Sequence, residues 1–218
     1  MAYNLIILGP QGSGKSTQAD LLVRRTGMIH MEMGSILRSV AQEDSELGKY
    51  VNEVMNVRKE LVSNELIEKI LRYRLGKVGV DQGIILDGAP RKETQIETVD
   101  RVFKEYNRMI DRAIFVDIPE EVSVARIASR FACSQCGKAF ILDEEARATH
   151  TLICDVCGGV LAQRTDDTLE GIRKRLAVFA AETVPVIEHY RAQGKLLHID
   201  GTKNIEEIFE DIVKGLGI

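Results

Sequence analysis

Gly9-Pro10-Gln11-Gly12-Ser13-Gly14-Lys15-Ser16 sets the architecture of this chain. It fits G-x-x-x-x-G-K-[ST] at every fixed position. It follows the apolar run Asn4–Leu8 and precedes an amphipathic stretch from about Lys15 to Arg25. Strand, glycine turn and helix in that order are the context the pattern requires. Glycines let the backbone curl until successive N–H groups point inward at phosphate oxygens. The helix start adds its positive end, and Lys15 brings a mobile point charge to β- and γ-phosphates. Gly12, Ser13 and Gly14 form the cradle, and Ser16 or Thr17 offers a hydroxyl near Mg²⁺. A glycine turn with a surface lysine would account for neither the full match nor its placement. The expected site is one for a nucleoside triphosphate.

Outward from the loop, short apolar strands alternate with longer amphipathic stretches, the pattern of an α/β protein with a parallel sheet. Gly83–Leu86, Ala113–Asp117 and Leu196–Ile199 read as further strands. Ser63-Asn64 can cap a helix carrying Leu66, Ile67, Ile70 and Leu71 at helical spacing. Thr94–Asn107 and Asn204–Leu216 also read as helices, as does a stretch from Pro119, where proline suits the first turn. Asp167–Gln193 is a long helical stretch with Pro185 inside it, which predicts a kink or break. Residues 32–62 and 130–164 interrupt the alternation and read as inserted modules; 1–31, 63–129 and 165–218 form the core. Asp87, ending the second strand, stands where a carboxylate reaches Mg²⁺ or its waters.

The chain has 218 residues, with 29 Lys+Arg against 33 Asp+Glu and a net charge of −4. That acidity argues against non-specific nucleic-acid or membrane-surface binding. No Trp is present and aromatics are 5%, so base-stacking platforms are scarce. Apolar runs such as Leu5–Leu8 have strand length rather than membrane-span length, and no basic segment precedes the first of them as in a signal peptide. The expectation is a cytoplasmic protein.

All four cysteines fall in one window, as Cys133-x2-Cys136 and Cys154-x2-Cys157 with 17 residues between the pairs. This is the spacing of a four-thiolate Zn²⁺ site, and Gly137 and Gly158 are placed to turn the chain after each pair. Four thiolates leave no position open for water, so the zinc is structural. A zinc ribbon gripping nucleic acid would be basic; between Arg130 and Arg164 four basic residues meet four acidic ones, Asp143, Glu144, Glu145 and Asp155. Arginines flank this module: Arg126 and Arg130 before it, four apart and so expected on one helix face, and Arg164 and Arg175 after it. Cationic clamping of equatorial oxygens is what phosphoryl transfer needs.

With these motifs the sequence resembles the adenylate kinases, in the long form with a zinc-bearing lid. The ordered matches include Gly9–Thr17 with Gln18, Gly34-x-x-Leu37-Arg38, Ser45–Lys49, Leu61-Val62, Leu86–Arg91 with Gln95, the four cysteines, Gln163-Arg164-x-Asp166-Asp167, Arg173–Leu176 and Asp200–Lys203. The resemblance spans essentially the whole chain. It implies a five-stranded parallel P-loop core flanked by helices, a helical monophosphate-binding insert and a small zinc lid. It further implies reversible Mg²⁺-dependent transfer from ATP to AMP, in a monomer with nucleotides as partners and neither nucleic acid nor membrane. Lys15, Asp87, Arg91, Arg130, Arg164 and Arg175 would be catalytic. Gly12–Thr17, Arg126, Arg130, Phe140 and Lys203 would hold ATP. Met33, Arg38, Glu60, Leu61, Val62, Gly88, Arg91, Gln95, Arg164 and Arg175 would hold AMP.

Departures from the family pattern gather at the acceptor side. Glu32-Met33-Gly34-Ser35 replaces the usual Ser-Thr-Gly-Asp, and Ala89 and Lys92 replace a phenylalanine and a threonine. Met33 adds apolar bulk where Ala89 removes an aromatic, so the two compensate sterically. Ser16 replaces a common glycine, and Phe131 a frequent second arginine. The altered pair motivates a second reading, the same reaction with another monophosphate. A third is a nucleotide-binding regulator that has lost catalysis, which the retained Lys15, Asp87 and arginines oppose. A zinc-ribbon nucleic-acid module on an ATPase is opposed by the neutral lid. His30, His150, His189 and His198 pair with no carboxylate at a meaningful spacing and are expected to be satisfied or solvated. Met28 and Met31 are expected in the core.

Overall fold

The computed structural model describes residues 3–58, 60–142, 152–163 and 167–218. Strands β1 (Asn4–Leu8), β2 (Ile29–Glu32), β3 (Ile84–Asp87), β4 (Arg112–Asp117) and β8 (Leu196–Asp200) form one sheet in the order β2-β3-β1-β4-β8, with every pairing parallel. Near-continuous apolar strands suit a sheet covered on both faces. Their period of two splits the core. Ile6, Leu8, Ile84, Leu86, Ala113 and Phe115 face one apolar cluster. Leu5, Ile7, Ile85, Ile114, Val116 and Ile199 face the other, packed against Ala19 and Leu22 of α1 (Lys15–Thr26) and Ile208 and Ile212 of α9 (Ile205–Leu216).

The first face is covered by α4 (Asn64–Leu75), α5 (Glu93–Glu105) and α8 (Val184–Ala192), through Leu71, Val99, Phe103, Val186 and Tyr190 among others. Ser63 caps α4, its Oγ accepting from Leu66 N, and Asn204 and Glu207 close a capping box on α9. Between β2 and α4 lie α2 (Met33–Val40), α3 (Glu46–Asn52) and a π-helical segment Glu53–Arg58, whose Leu37, Val51 and Val54 join the same cluster.

Pro119 stands at the N-cap of α6 (Glu120–Ala128), one residue before the first turn where it was expected. Pro185 does not break its stretch. Helix α7 (Leu169–Val178) runs into α8 through a π-helical segment, Phe179–Thr183, just upstream of the proline. A ring without an N–H frees a carbonyl one turn back, and the widened turn takes up that mismatch.

The cysteine module is a small antiparallel sheet, order β6-β5-β7, of β5 (Arg130–Cys133), β6 (Ala139–Ile141) and β7 (Leu161–Ala162), with its own cluster of Phe131, Leu142 and Leu161 beside Cys133 and Cys154. Arg126 and Arg130 therefore do not share a helix face: α6 ends at Ala128, and Arg130 opens β5, paired with Ile141. Pairing with β6 outweighs continuation of the helix. Among the described residues no helix is long and apolar enough to cross a membrane.

Candidate functional site

The loop between β1 and α1 turns through two left-handed glycines, Gly12 at φ +78° and Gly14 at φ +85°. A Cβ on Gly12 would meet Ser123 O at 3.2 Å, whereas space around Gly14 is open. Gly14 caps α1 without a side-chain acceptor, and the first turn contains no acidic residue. The chain thus leaves the positive end of α1 to an anion. The loop is braced from behind: Ser123 Oγ donates to Gln11 O at 2.5 Å, and Arg126 Nη1 donates to Gly201 O at 3.0 Å and Gly12 O at 3.3 Å. Arg126 is accordingly bound to backbone on both sides of the loop mouth. Ser13 Oγ is buried with no hydrogen-bond partner.

Lys15 is half-buried, within the electrostatic reach of Asp87. Burial draws its pKa below the ordinary lysine value, with Asp87 opposing and Arg91 and Arg130 reinforcing the shift. Asp87 ends β3 almost fully buried, and its Oδ2 accepts from Ser16 Oγ at 2.6 Å. Of the two candidate hydroxyls, it is Ser16 that meets the carboxylate. Burial works against the Asp87 charge, but His30, Lys15 and Ser16 outweigh it and hold the carboxyl below its usual range. A buried carboxylate and a hydroxyl are hard oxygen donors, which fits the Mg²⁺ of a nucleotide complex.

His30 corrects the expectation for the histidines. Its Nδ1 lies 2.9 Å from Asp20 Oδ1 and its Nε2 3.5 Å from Asp87 Oδ2. Burial opposes charge on the ring, yet Asp20 and Asp87 raise its pKa to about 9. His198 likewise sits 2.9 Å from Asp117 Oδ2 and stacks on Phe115. His189 Nε2 meets Gln193 Nε2 at 2.7 Å. His150 lies outside the described residues.

After β3, Gly88 turns the chain, and a Cβ there would lie 3.1 Å from Arg91 Nη2 and 3.6 Å from Met33 Cβ. Arg91 is half-buried; desolvation lowers its pKa, and Arg38 adds to that lowering. Arg38 Nη2 pairs with Glu32 Oε1 at 3.2 Å. Gln95 is buried, and its Oε1 accepts from Arg91 N at 2.7 Å; Thr183 Oγ1 donates to Arg91 O at 3.0 Å. Met33 and Ala89 are buried in one apolar cluster with Val62. Leu61 is half-buried, and the exposed Glu60 pairs with Arg58 at 3.4 Å.

At the root of the cysteine module, Asp167 gathers two guanidinium groups. Arg130 Nε and Nη2 donate to it at 2.7–3.0 Å, and Arg175 Nη2 donates to its Oδ1 at 2.8 Å. The Asp167 side chain is 2% exposed and those of the two arginines 14% and 13%. Its quoted neighbourhood signalled a motif, but nothing in the sequence assigned it this bridging role. Arg164 lies outside the described residues, as do Asp143, Glu144 and Glu145. Phe140 sits on β6 with Lys138 Nζ 5.1 Å from its ring centre. Lys203, two residues after the Gly201 whose carbonyl Arg126 joins to the phosphate loop, pairs with Asp211 at 2.6 Å.

The four cysteine sulfurs all lie within 4.8 Å of one another, with Cys133–Cys157 at 3.4 Å and Cys136–Cys154 at 3.7 Å. A tetrahedron with metal–sulfur bonds of about 2.3 Å has sulfurs about 3.8 Å apart, so the donor set fits Zn²⁺. Backbone N–H groups of Cys136 and Gln135 face Cys133 Sγ at 3.5 and 3.4 Å and draw its thiol down to about 6. Gly137 and Gly158 take φ of +73° and +74°, the left-handed turn expected after each pair.

Comparison with known proteins gives a consistent picture. The family model described as adenylate kinase matches residues 7–195. The adenylate kinase of Archaeoglobus fulgidus is 41% identical over 209 residues, covering 96% of this chain and 95% of the relative. That of Caldicellulosiruptor bescii is 38% identical over 214 residues, covering 98% and 99%. That of Thermotoga neapolitana is 37% identical over 218 residues, covering 100% and 98%.

Proposed function

The chain belongs to the adenylate kinase family, and on that premise we propose that it catalyses reversible, magnesium-dependent phosphoryl transfer from ATP to AMP, giving two ADP. The observation that carries this reading is the convergence of charge at the loop. Half-buried Lys15 feels Asp87 at the end of β3, Arg91 just after it, and Arg130 at the root of the cysteine module. Transfer of a phosphoryl group requires little covalent chemistry and much cationic positioning, which such a cluster supplies.

In the proposed reaction an oxygen of the AMP phosphate attacks the γ-phosphorus, the bond to the β–γ bridging oxygen breaks, and ADP leaves. No covalent enzyme intermediate forms. Gly12–Thr17 hold the ATP phosphates through backbone N–H groups and Lys15. Arg126, Phe140 and the Lys203 backbone border the ATP nucleoside. Arg130, Arg164 and Arg175 surround the transferring group. Arg38 and Arg91 hold the acceptor phosphate, with Met33, Glu60, Leu61, Val62, Gly88 and Gln95 around its nucleoside. Asp87 and Ser16 are the residues that would receive Mg²⁺ or its waters, and the ion, when bound, would neutralise phosphate charge.

The proposed division is a core of 1–31, 63–129 and 165–218, an acceptor-binding insert 32–62 and a zinc lid 130–164. Zn²⁺ on the four cysteines is structural. Lid closure is an established behaviour of adenylate kinases, and here it would exclude water so that AMP rather than water receives the phosphoryl group. The proposed setting is a cytoplasmic monomer, with nucleotides rather than nucleic acid or membrane as partners.

The test is product analysis of MgATP with AMP, and of MgADP alone for the reverse reaction. The expected result is two ADP per ATP consumed, and a Lys15→Ala variant of unchanged melting temperature whose turnover falls by about 10²-fold or more. Near-wild-type turnover in that variant would refute the loop assignment.

A further inference from the structure

One group beside Asp87 has no role in the reaction above. His30 stands on β2, whose parallel register on β3 pairs it with Ile85 and pairs Glu32 with Asp87. Its side chain therefore shares a sheet face with that of Asp87, the face on which Asp20 and Ser16 of α1 reach both. Asp20 Oδ1 holds its Nδ1 at 2.9 Å, and Nε2 lies 3.5 Å from Asp87 Oδ2, the same oxygen that accepts from Ser16 Oγ at 2.6 Å. Both contacts on Asp87 thus fall on Oδ2, and neither uses Oδ1.

A carboxylate end group turns easily about its last torsion, because that torsion is broad and two-fold. The hydrogen bond from Ser16 Oγ and the His30 ring, which faces the same oxygen at ion-pair distance with its Nε2 making no hydrogen bond, together limit this freedom. Exposure falls along the chain of contacts, from 64% at the Asp20 side chain to 15% at His30 and 3% at Asp87, so an anchor at the surface is transmitted inward to a buried group. Outer partners of metal-associated groups commonly act in this way, fixing the orientation of a group without touching the reacting atoms.

We propose that His30 is a positioning residue for phosphoryl transfer: locked by Asp20, it restrains the Asp87 carboxylate through Oδ2 and so presents Oδ1 to the hydrated magnesium of bound ATP. The inference rests on the assignment of Asp87 to the magnesium site under the proposed function. His30 and Asp20 do not contact substrate in this account.

The test uses the whole protein and the variants His30→Ala, His30→Gln and Asp20→Asn. Calorimetry gives the ratio of ATP affinities with Mg²⁺ and with chelator, and initial rates give kcat and KM separately. For His30→Ala the affinity ratio and kcat each fall by about 10-fold or more. His30→Gln, which keeps a polar side chain at this position without the ring's charge, recovers part of that loss. Asp20→Asn, on an exposed carboxylate where folding is not at stake, shows a smaller loss in the same direction, and adding it to His30→Ala costs little more. An unchanged ratio and kcat in the variants would overturn the proposal. So would a ratio that rises equally in His30→Ala and His30→Gln, since the ring would then act only as a charge competing with the metal. A wild-type protein that forms ADP but shows no magnesium effect would remove the Asp87 assignment beneath it, and one that forms no ADP would remove the proposed function itself.

Discussion

Replacing Asp167 by Asn isolates the electrostatics at the root of the cysteine module. The amide keeps the shape of the carboxylate and opens no cavity, but removes the charge that holds Arg130 and Arg175. Their Nη2 atoms are 2.7 and 2.8 Å from the same Oδ1, and each arginine is less than one-sixth exposed. That geometry puts the two nitrogens within about 5.5 Å of each other, and unit charges at that distance repel by about 3 kcal/mol at an effective dielectric of about 20. Removing one member of a buried ionic cluster typically costs about 3–5 kcal/mol. At about 2–4 °C per kcal/mol for a chain of this size, nucleotide-free Asp167→Asn melts about 6–20 °C below wild type. The assay is thermal unfolding with and without saturating ATP plus AMP. Phosphate oxygens supply the missing negative charge, so the gap narrows when both nucleotides are present. Melting temperatures within about 2 °C of wild type under both conditions would refute the reasoning.

Cys133→Ser releases zinc and lowers the melting temperature of the cysteine module, which metal analysis and hydrogen exchange over residues 130–142 check; unchanged zinc content would mean the ligands are misassigned. Ala89→Phe overpacks a fully buried position and destabilises by about 1–3 kcal/mol, and Met33→Thr relieves part of that loss, so denaturant titration of the double variant shows a coupling of opposite sign to the single losses. Arg101 first and Arg72 second draw the Glu68 carboxyl from 4.5 down to about 2. Because the folded value is depressed, its contribution is present above about pH 4.5 and disappears as pH falls through about 2. The melting-temperature difference between wild type and Glu68→Gln therefore shrinks between those limits, and a difference that grows on acidification would contradict the sign.

What the sequence disclosed was what lies close together along the chain. The phosphate loop, the Ser63 cap and the paired cysteines are contiguous patterns whose chemistry follows from spacing, and Asp87 is readable because it ends a strand. Contacts made by the sheet were not readable. His30 meets Asp87 only because β2 lies parallel on β3, and no local spacing encodes that register. Arg130 leaves the face of Arg126 because β5 pairs with β6, a tertiary preference that overrides helical periodicity. Pro185 signalled an irregularity, but its form, a π-helical segment upstream, depended on the packing of the flanking turns. Asp167 was visible as a residue, while its two arginine partners come together only in the folded chain.

The most direct test of the central claim is the initial rate of ADP formation from MgATP with AMP, GMP, CMP, UMP and dTMP offered in turn at equal concentration. The account predicts transfer to AMP well above every other acceptor, with Met33 and Ala89 a compensated repacking of the acceptor side. A preference for another monophosphate would contradict the assignment of AMP, and measurable ATP binding with no transfer to any acceptor would contradict phosphoryl transfer itself.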